Sequence, residues 1–174
     1  SGGAGGDNIA VLRRLLELNT DSHNGLTYLT LVDRSAASLA EMRGVGSIIK
    51  VKLGHSLSHN DGIPLEVTAT VKAITDGVFT MTAGLEGAEM NFGLTALLAI
   101  GSIRIAVRSI GGLEWDIGQF TSVGLDLAQA KLVFVKSPSH FRATFGPYAT
   151  EIFTADTPGP TCVNITKVDY KKLH

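Results

Sequence analysis

Cysteine occurs once in this 174-residue chain, at Cys162. A single thiol excludes an internal disulfide framework and a thiolate zinc cluster, and it suits a reducing, cytoplasmic setting. Aromatic residues are scarce at 6%, and Trp115 is the one tryptophan. Charged residues make up only 18%, balance to a formal net charge of -1, and include no basic run. The chain therefore lacks the electrostatic footprint of a partner for nucleic acid or an anionic membrane, and neither is expected. Long apolar runs are also missing: the longest, residues 94–107, is broken by Gly101, Ser102 and Arg104, so no span across a bilayer is expected. There is no initiating methionine, and the opening Ser1-Gly2-Gly3 reads as a cut from something longer.

Hydrophobic residues, at 44%, and glycine, with 20 copies, are abundant. At this length they support one substantial core, so a single domain over residues 1–174 is expected. Periodicity divides that domain into mixed elements. After the glycine-rich residues 1–6, Asp7 or Asn8 caps a helix whose apolar residues Ile9, Leu12, Leu15 and Leu16 recur at helical spacing. A strand over residues 27–32 and a helix over 35–43 follow, with Asp33 or Ser35 as cap and Gly44 as terminator. The period then changes to two, with Ile49, Val51 and Leu53 on one face and later Leu65, Val67, Ala69 and Val71 likewise. Two hairpins are expected, one turning at Asp76-Gly77 into Val78, Phe79 and Met81, the other at Gly101-Ser102. Residues 83–92 read as irregular, and Asp116 as the cap of a short helix through Phe120. Thus the fold class is α+β, with a mixed, largely antiparallel sheet, flanking helices and one βαβ unit near the C-terminus.

That βαβ unit is expected over residues 131–160: a buried strand at Leu132, Val133, Phe134 and Val135, a helix carrying His140 and Arg142, and a second strand near Ile152 and Phe153. Ser137 with Pro138 reads as the helix start, the serine accepting from a first-turn N–H. Unpaired N–H groups beside Lys136 would then suit an anion or a carboxylate. The tail, 157–174, reads as a surface segment with an edge strand.

Other chemistry is thinly represented. Ser137 and His140 form the one local nucleophile–base pairing, without a G-x-S-x-G frame. His55 and His59 sit among Gly, Ser, Asn and Pro residues and read as exposed loop histidines rather than ligands. Arg104 and Arg108 alternate outward with Ile103, Ile105 and Val107 and so belong to a polar strand face. The glycine loop preceding the first helix could cradle an anion, but it lacks the Walker lysine.

Several motifs together carry a resemblance. The run V-K-S-x-x-H-F-R-A-x-F at residues 135–145, D-T-P-G-P at 156–160, G-x-P-L-E-V-x-x-x-V-x-x-x-x-D-G at 62–77, F-x-x-x-G-x-D at 120–126 and the glycine-rich residues 1–7 fall in one order. In that order they resemble the C-terminal domain of the microcystinase C (MlrC-like) family of zinc metallopeptidases. The resemblance implies that zinc belongs to the parent protein and is held by an N-terminal metallopeptidase domain absent from this chain. That domain would be the partner, and a peptide or amide the substrate. This chain would carry no catalytic residue and no metal ligand, and would form one wall of the substrate cleft. Gly5, Gly6 and Asp7 would lie near that cleft, with Lys136, Ser137, His140 and Arg142 as substrate-binding, anion-binding or interface residues. Two other readings stay open: a stand-alone anion or carboxylate-binding module, and a structural domain that forms a homo-oligomer.

Overall fold

The computed structural model describes residues 5–18, 25–57, 62–137, 139–155 and 157. Helix α1, Ala10–Glu17, buries Leu12 and Leu15 and leaves Arg13, Arg14 and Glu17 outside. Neither Asp7 nor Asn8 is the cap expected for this helix: the N-cap position is Ile9, without a side-chain cap bond, and Asn8, one residue earlier, accepts from Ala10 N at 2.8 Å through Oδ1 in a local turn. Strand β1, Leu26–Val32, leads into α2, Arg34–Arg43, which Asp33 caps by accepting from Ala36 N at 3.0 Å. Gly44 ends α2 at φ 79°, in the left-handed region that glycine tolerates. Ala36, Ala37 and Ala40 are all buried, and these small side chains let α2 lie close to the sheet.

Six strands form the main sheet: β1; β2, Ile48–Leu53; β3, Leu65–Thr75; β6, Thr95–Ile100; β7, Ile103–Arg108; and β8, Ala130–Val133. Two short strands, β4 (Val78–Thr80) and β5 (Glu89–Asn91), pair with each other in a separate small sheet. The main order is β2-β3-β6-β7-β1-β8. β2, β3, β6 and β7 pair antiparallel in succession, whereas β1 is parallel to both β7 and β8. This is the expected α+β class with a mixed, largely antiparallel sheet.

One face of the sheet packs Leu29, Leu31, Ile103, Ile105, Val107 and Leu98 against Ile9, Leu12 and Leu15 of α1 and the alanines of α2. The other packs Tyr28, Leu97 and Ala106 against Phe120, Val123, Leu125, Leu127 and Phe145. The last group comes from α3, Gly118–Thr121, from the turn after it, and from α4, Phe141–Phe145. A register shift between Val71 and Ala73 bends β3. The loop after β2 then returns to the carboxyl end of β1, where Gly54 N donates to Asp33 Oδ2 at 3.0 Å and Ser56 Oγ donates to Val32 O at 3.2 Å.

Some expectations need correction. Asp76-Gly77 does not close a hairpin between β3 and β4, because β3 is already flanked by β2 and β6 and the chain leaves the sheet. Residues 83–92 are not wholly irregular, since they contain β5. A parallel β-α-β crossing does lie near the C-terminal end, but its strands are β7 and β8, with β1 between them. Ile152 and Phe153 form no strand, and Phe153 is exposed. Strand β8 is an edge strand whose Leu132 is exposed, not the buried strand that its composition suggests. The expected tail strand, Cys162 and His59 lie outside the described residues. Among the described residues no helix is long and apolar enough to cross a membrane.

Asp33 ties the start of α2 to the loop after β2 with one carboxylate. Asp33→Ala is expected to lower the unfolding free energy by about 2 kcal/mol through loss of the cap and of the Gly54 bond. The midpoint of urea denaturation should fall accordingly, with an unchanged slope.

Candidate site at the carboxyl ends of the parallel strands

Because β7, β1 and β8 run parallel, they end on one edge, and Arg108, Val32 and the segment leading from Val133 to Lys136 meet there. Open sheets bind ligands along such an edge, in the crevice beyond the strand ends. Here the chain's own residues 5–8 lie along that edge. Val32 N donates to Gly6 O at 3.1 Å, His55 N to Asp7 O at 3.0 Å, and Leu57 N to Asp7 Oδ2 at 2.9 Å. Lys136 Nζ donates to Gly6 O at 2.6 Å and to Asn8 O at 3.3 Å. Gly6 has φ +78°, and a Cβ there would fall 2.7 Å from Val32 Cγ2 and 3.0 Å from Glu114 Oε1. Only glycine lets the backbone pass this close.

Beneath this segment lies a buried set of charges. The Arg108 guanidinium, over the Phe92 ring with Cζ 4.0 Å from the centroid, donates through Nη2 to Glu114 Oε1, and both residues are 1% exposed. Thr30 Oγ1 donates to the other carboxylate oxygen at 2.6 Å. Asp7 is buried as well. Two cations and two carboxylates thus balance formally in a region where an unpaired charge is expensive. Burial pushes the Lys136 ammonium below the ordinary lysine value; Glu114 raises it again, Arg108 lowers it and Asp7 raises it. The Arg108 guanidinium is likewise lowered by burial, with Glu114 opposing.

Arg108 was not legible as part of this set. Strand alternation places it correctly opposite Val107, on the face it shares with Arg104 and Ala106, but that face is covered by other parts of the chain and Arg108 is buried rather than solvated. His55 is also buried and not an exposed loop histidine; it holds φ 53° while its N–H reaches Asp7 O.

Four of the seven sequence-predicted site residues converge here: Gly5, Gly6, Asp7 and Lys136. Ser137 stands next to Lys136, but it is not a helix cap. Helix α4 begins at Phe141 with His140 at its N-cap position, and Ser137 Oγ is buried without a hydrogen-bond partner among the described residues. His140 and Arg142 lie outward of the charge set, on a groove that also contains Trp115. The Trp115 and His140 rings are 4.9 Å apart at 31°, and Thr144 Oγ1 donates to Trp115 O, fixing α4 against the loop after β7. His140 Nδ1 lies 3.3 Å from Ser139 Oγ, not against Ser137. Glu114 and Trp115 were missed in the sequence as site residues; the one local signal is Gly111-Gly112 just before them, which allows the chain to turn back over the strand end.

The donor set does not suit a transition metal. Among the described residues no three His, Cys, Asp or Glu side chains are grouped as ligands. The buried carboxylates are already engaged: Asp33 with Ala36 and Gly54, Glu114 with Arg108 and Thr30, Asp7 with Leu57, and Asp116 with Thr82, Ala83 and Gly118. No chemistry through a metal is assigned to these residues.

Arg108→Met leaves Glu114 buried without its cation, so a loss of about 3–5 kcal/mol is expected, and the double variant with Glu114→Gln should lose less than the sum of the two single ones. Chemical denaturation of the four proteins measures this. For Lys136→Met a loss of about 1–3 kcal/mol is expected. Its pH dependence has a definite sign. Between the lowered folded value and the ordinary lysine value, the unfolded chain holds a proton that the folded chain has released, so Lys136 makes stability rise with pH. Tyr28, whose value is raised chiefly by burial, acts in the opposite sense. The difference between wild type and Lys136→Met, followed by denaturation at alkaline pH, isolates the lysine and should change in favour of the wild type as pH rises.

The sequence profile of the MlrC C-terminus family matches residues 1–172. Microcystinase C of Sphingomonas sp. is 27% identical over 146 residues, which are 83% of this chain and 27% of that protein. A crystal structure of a protein from Mesorhizobium sp. BNC1, described as a metallopeptidase, superposes with a TM-score of 0.81 at 26% identity, covering 91% of this chain and 31% of that one. The chain therefore spans less than a third of the length of either relative. With the profile matched over nearly all its residues, the chain belongs to the MlrC C-terminal domain family.

Proposed function

We propose that this chain is the C-terminal domain of a zinc-dependent peptide or amide hydrolase, and that the carboxyl edge of β7, β1 and β8 forms one wall of its substrate cleft. An N-terminal domain, its partner, would hold the zinc and supply the Lewis acid that activates water. The single observation that carries this reading is the position of residues 5–8. They run through the crevice beyond the strand ends, so a polypeptide arriving from upstream is delivered to the place where an open sheet accommodates ligands. The shared family and the greater length of both relatives support it. The single cysteine suits work in a reducing cytoplasm. The reading as a stand-alone anion-binding module draws less support, because the Lys136 ammonium is already held by two carbonyls and the five-residue α4 starts too late to present its N-terminus beside it.

In this arrangement the chain's own residues perform positioning. Lys136 and the buried Arg108–Glu114 pair fix the segment at the crevice, while Trp115 and His140 form the outer wall. The test is a comparison of two proteins, the 174-residue chain and a longer family protein containing the preceding domain. The longer protein is expected to hydrolyse a linear peptide, to lose that activity to a chelator and to regain it with zinc. The 174-residue chain with added zinc should give no turnover. Chelator-sensitive hydrolysis by the 174-residue chain alone would overturn the proposal.

A further inference from the structure

The groove outward of the charge set is separate from the buried cluster and holds about 280 Å³. Its walls are Ala83, Gly84, Trp115, His140, Arg142 and Ala143. This volume fits one side chain rather than a whole drug-sized ligand. Small residues make up part of the lining, and Gly84 among them holds a backbone φ of +80°, where a side chain would be strained and its Cβ would lie 3.3 Å from Trp115 Nε1. One side is the Trp115 indole, tilted 31° to the His140 ring with centroids 4.9 Å apart. Arg142 also lines the groove; it is exposed, its guanidinium carbon lies 5.1 Å from the centre of the neighbouring Phe141 ring, and it pairs with no carboxylate among the described residues. His140, likewise exposed, lines the groove beside it.

A largely apolar lining, an indole and an exposed guanidinium without a carboxylate partner among the described residues complement one kind of group. We propose that this groove binds the C-terminal residue of a peptide whose side chain is apolar or aromatic, with the side chain against Trp115 and the free α-carboxylate on Arg142. Arginine suits a carboxylate because its fork offers two parallel N–H donors. The inference rests on the reading of this edge as a cleft wall, and it assigns to that wall a preference for free C-terminal ends over amidated ones.

The one tryptophan provides a direct reporter, since Trp115 is itself a wall of the groove. The 174-residue chain is titrated with N-acetyl-L-phenylalanine, N-acetyl-L-phenylalaninamide and sodium acetate while Trp115 emission is followed. A saturable change is expected with the acid, binding about tenfold weaker with the amide, and no saturable change with acetate. Arg142→Met should reduce the acid to the level of the amide, and Ala143→Leu, which fills the groove, should abolish binding of both. Both positions are exposed on α4, so circular dichroism should be unchanged. Equal binding of acid and amide, absence of a saturable change, or an Ala143→Leu variant that binds like wild type would overturn the inference. The wild-type ligand series decides the matter even if a variant misfolds. Because the titration reads binding and the chelator comparison reads turnover, failure of either is distinguishable from failure of the other.

Discussion

The carbonyl of Gly6 accepts two hydrogen bonds, one from the amide of Val32 at the end of β1 and one from the ammonium of Lys136. The two donors are 104 residues apart, being 136 less 32. Through this one oxygen the first described segment, a parallel strand and the segment after β8 share a junction. The remaining contacts at these strand ends build outward from it: Asp7 receives the loop after β2, Asn8 accepts from the first residue of α1, and Glu114 approaches Gly6 where a side chain would not fit. A surface lysine would give up little on substitution, but here the ammonium has exchanged water for two carbonyls and its charge is balanced by buried neighbours.

This balance explains the arrangement of the charges. Arg108 alone at 1% exposure would be untenable, and so would Glu114. As a pair, with Thr30 on the second carboxylate oxygen and Phe92 under the guanidinium, they are tolerated, and they give the crevice a defined geometry instead of a pliable apolar one. Two Arg108 nitrogens, Nε and Nη1, have no hydrogen-bond partner among the described residues. The groove beyond is built differently, from indole, imidazole and small side chains, and sequence adjacency links the two regions: Glu114 bonds within the charge set and Trp115 lines the groove.

Local chemistry made much of the scaffold legible. The alternation of Ile49, Val51 and Leu53, the Asp33 cap, the Gly44 stop and the Gly101-Ser102 turn all depend on neighbours within a few residues, and each acts as that chemistry dictates. What depended on distant partners was not legible. Alternation puts Arg108 on the correct face, yet nothing local says that the other layer covers it. Asp76-Gly77 is good hairpin chemistry, but the two places beside β3 are taken by β2 and β6. Ser137-Pro138 resembles a helix start, although α4 is delayed to Phe141. Of the site, Gly5, Gly6, Asp7 and Lys136 could be named from family motifs, while Glu114 and Trp115 belong to a connection whose importance arises only from folding.

If residues 5–8 belong to the structure at these strand ends, they are held as firmly as the strands beside them. Native-state hydrogen exchange at the amides of Val32 and His55, which donate to Gly6 O and Asp7 O, tests it most directly. The account predicts protection at both amides comparable to that of the central strand amides of β7. Exchange at both near the rate of an open loop, with β7 still protected, would contradict it.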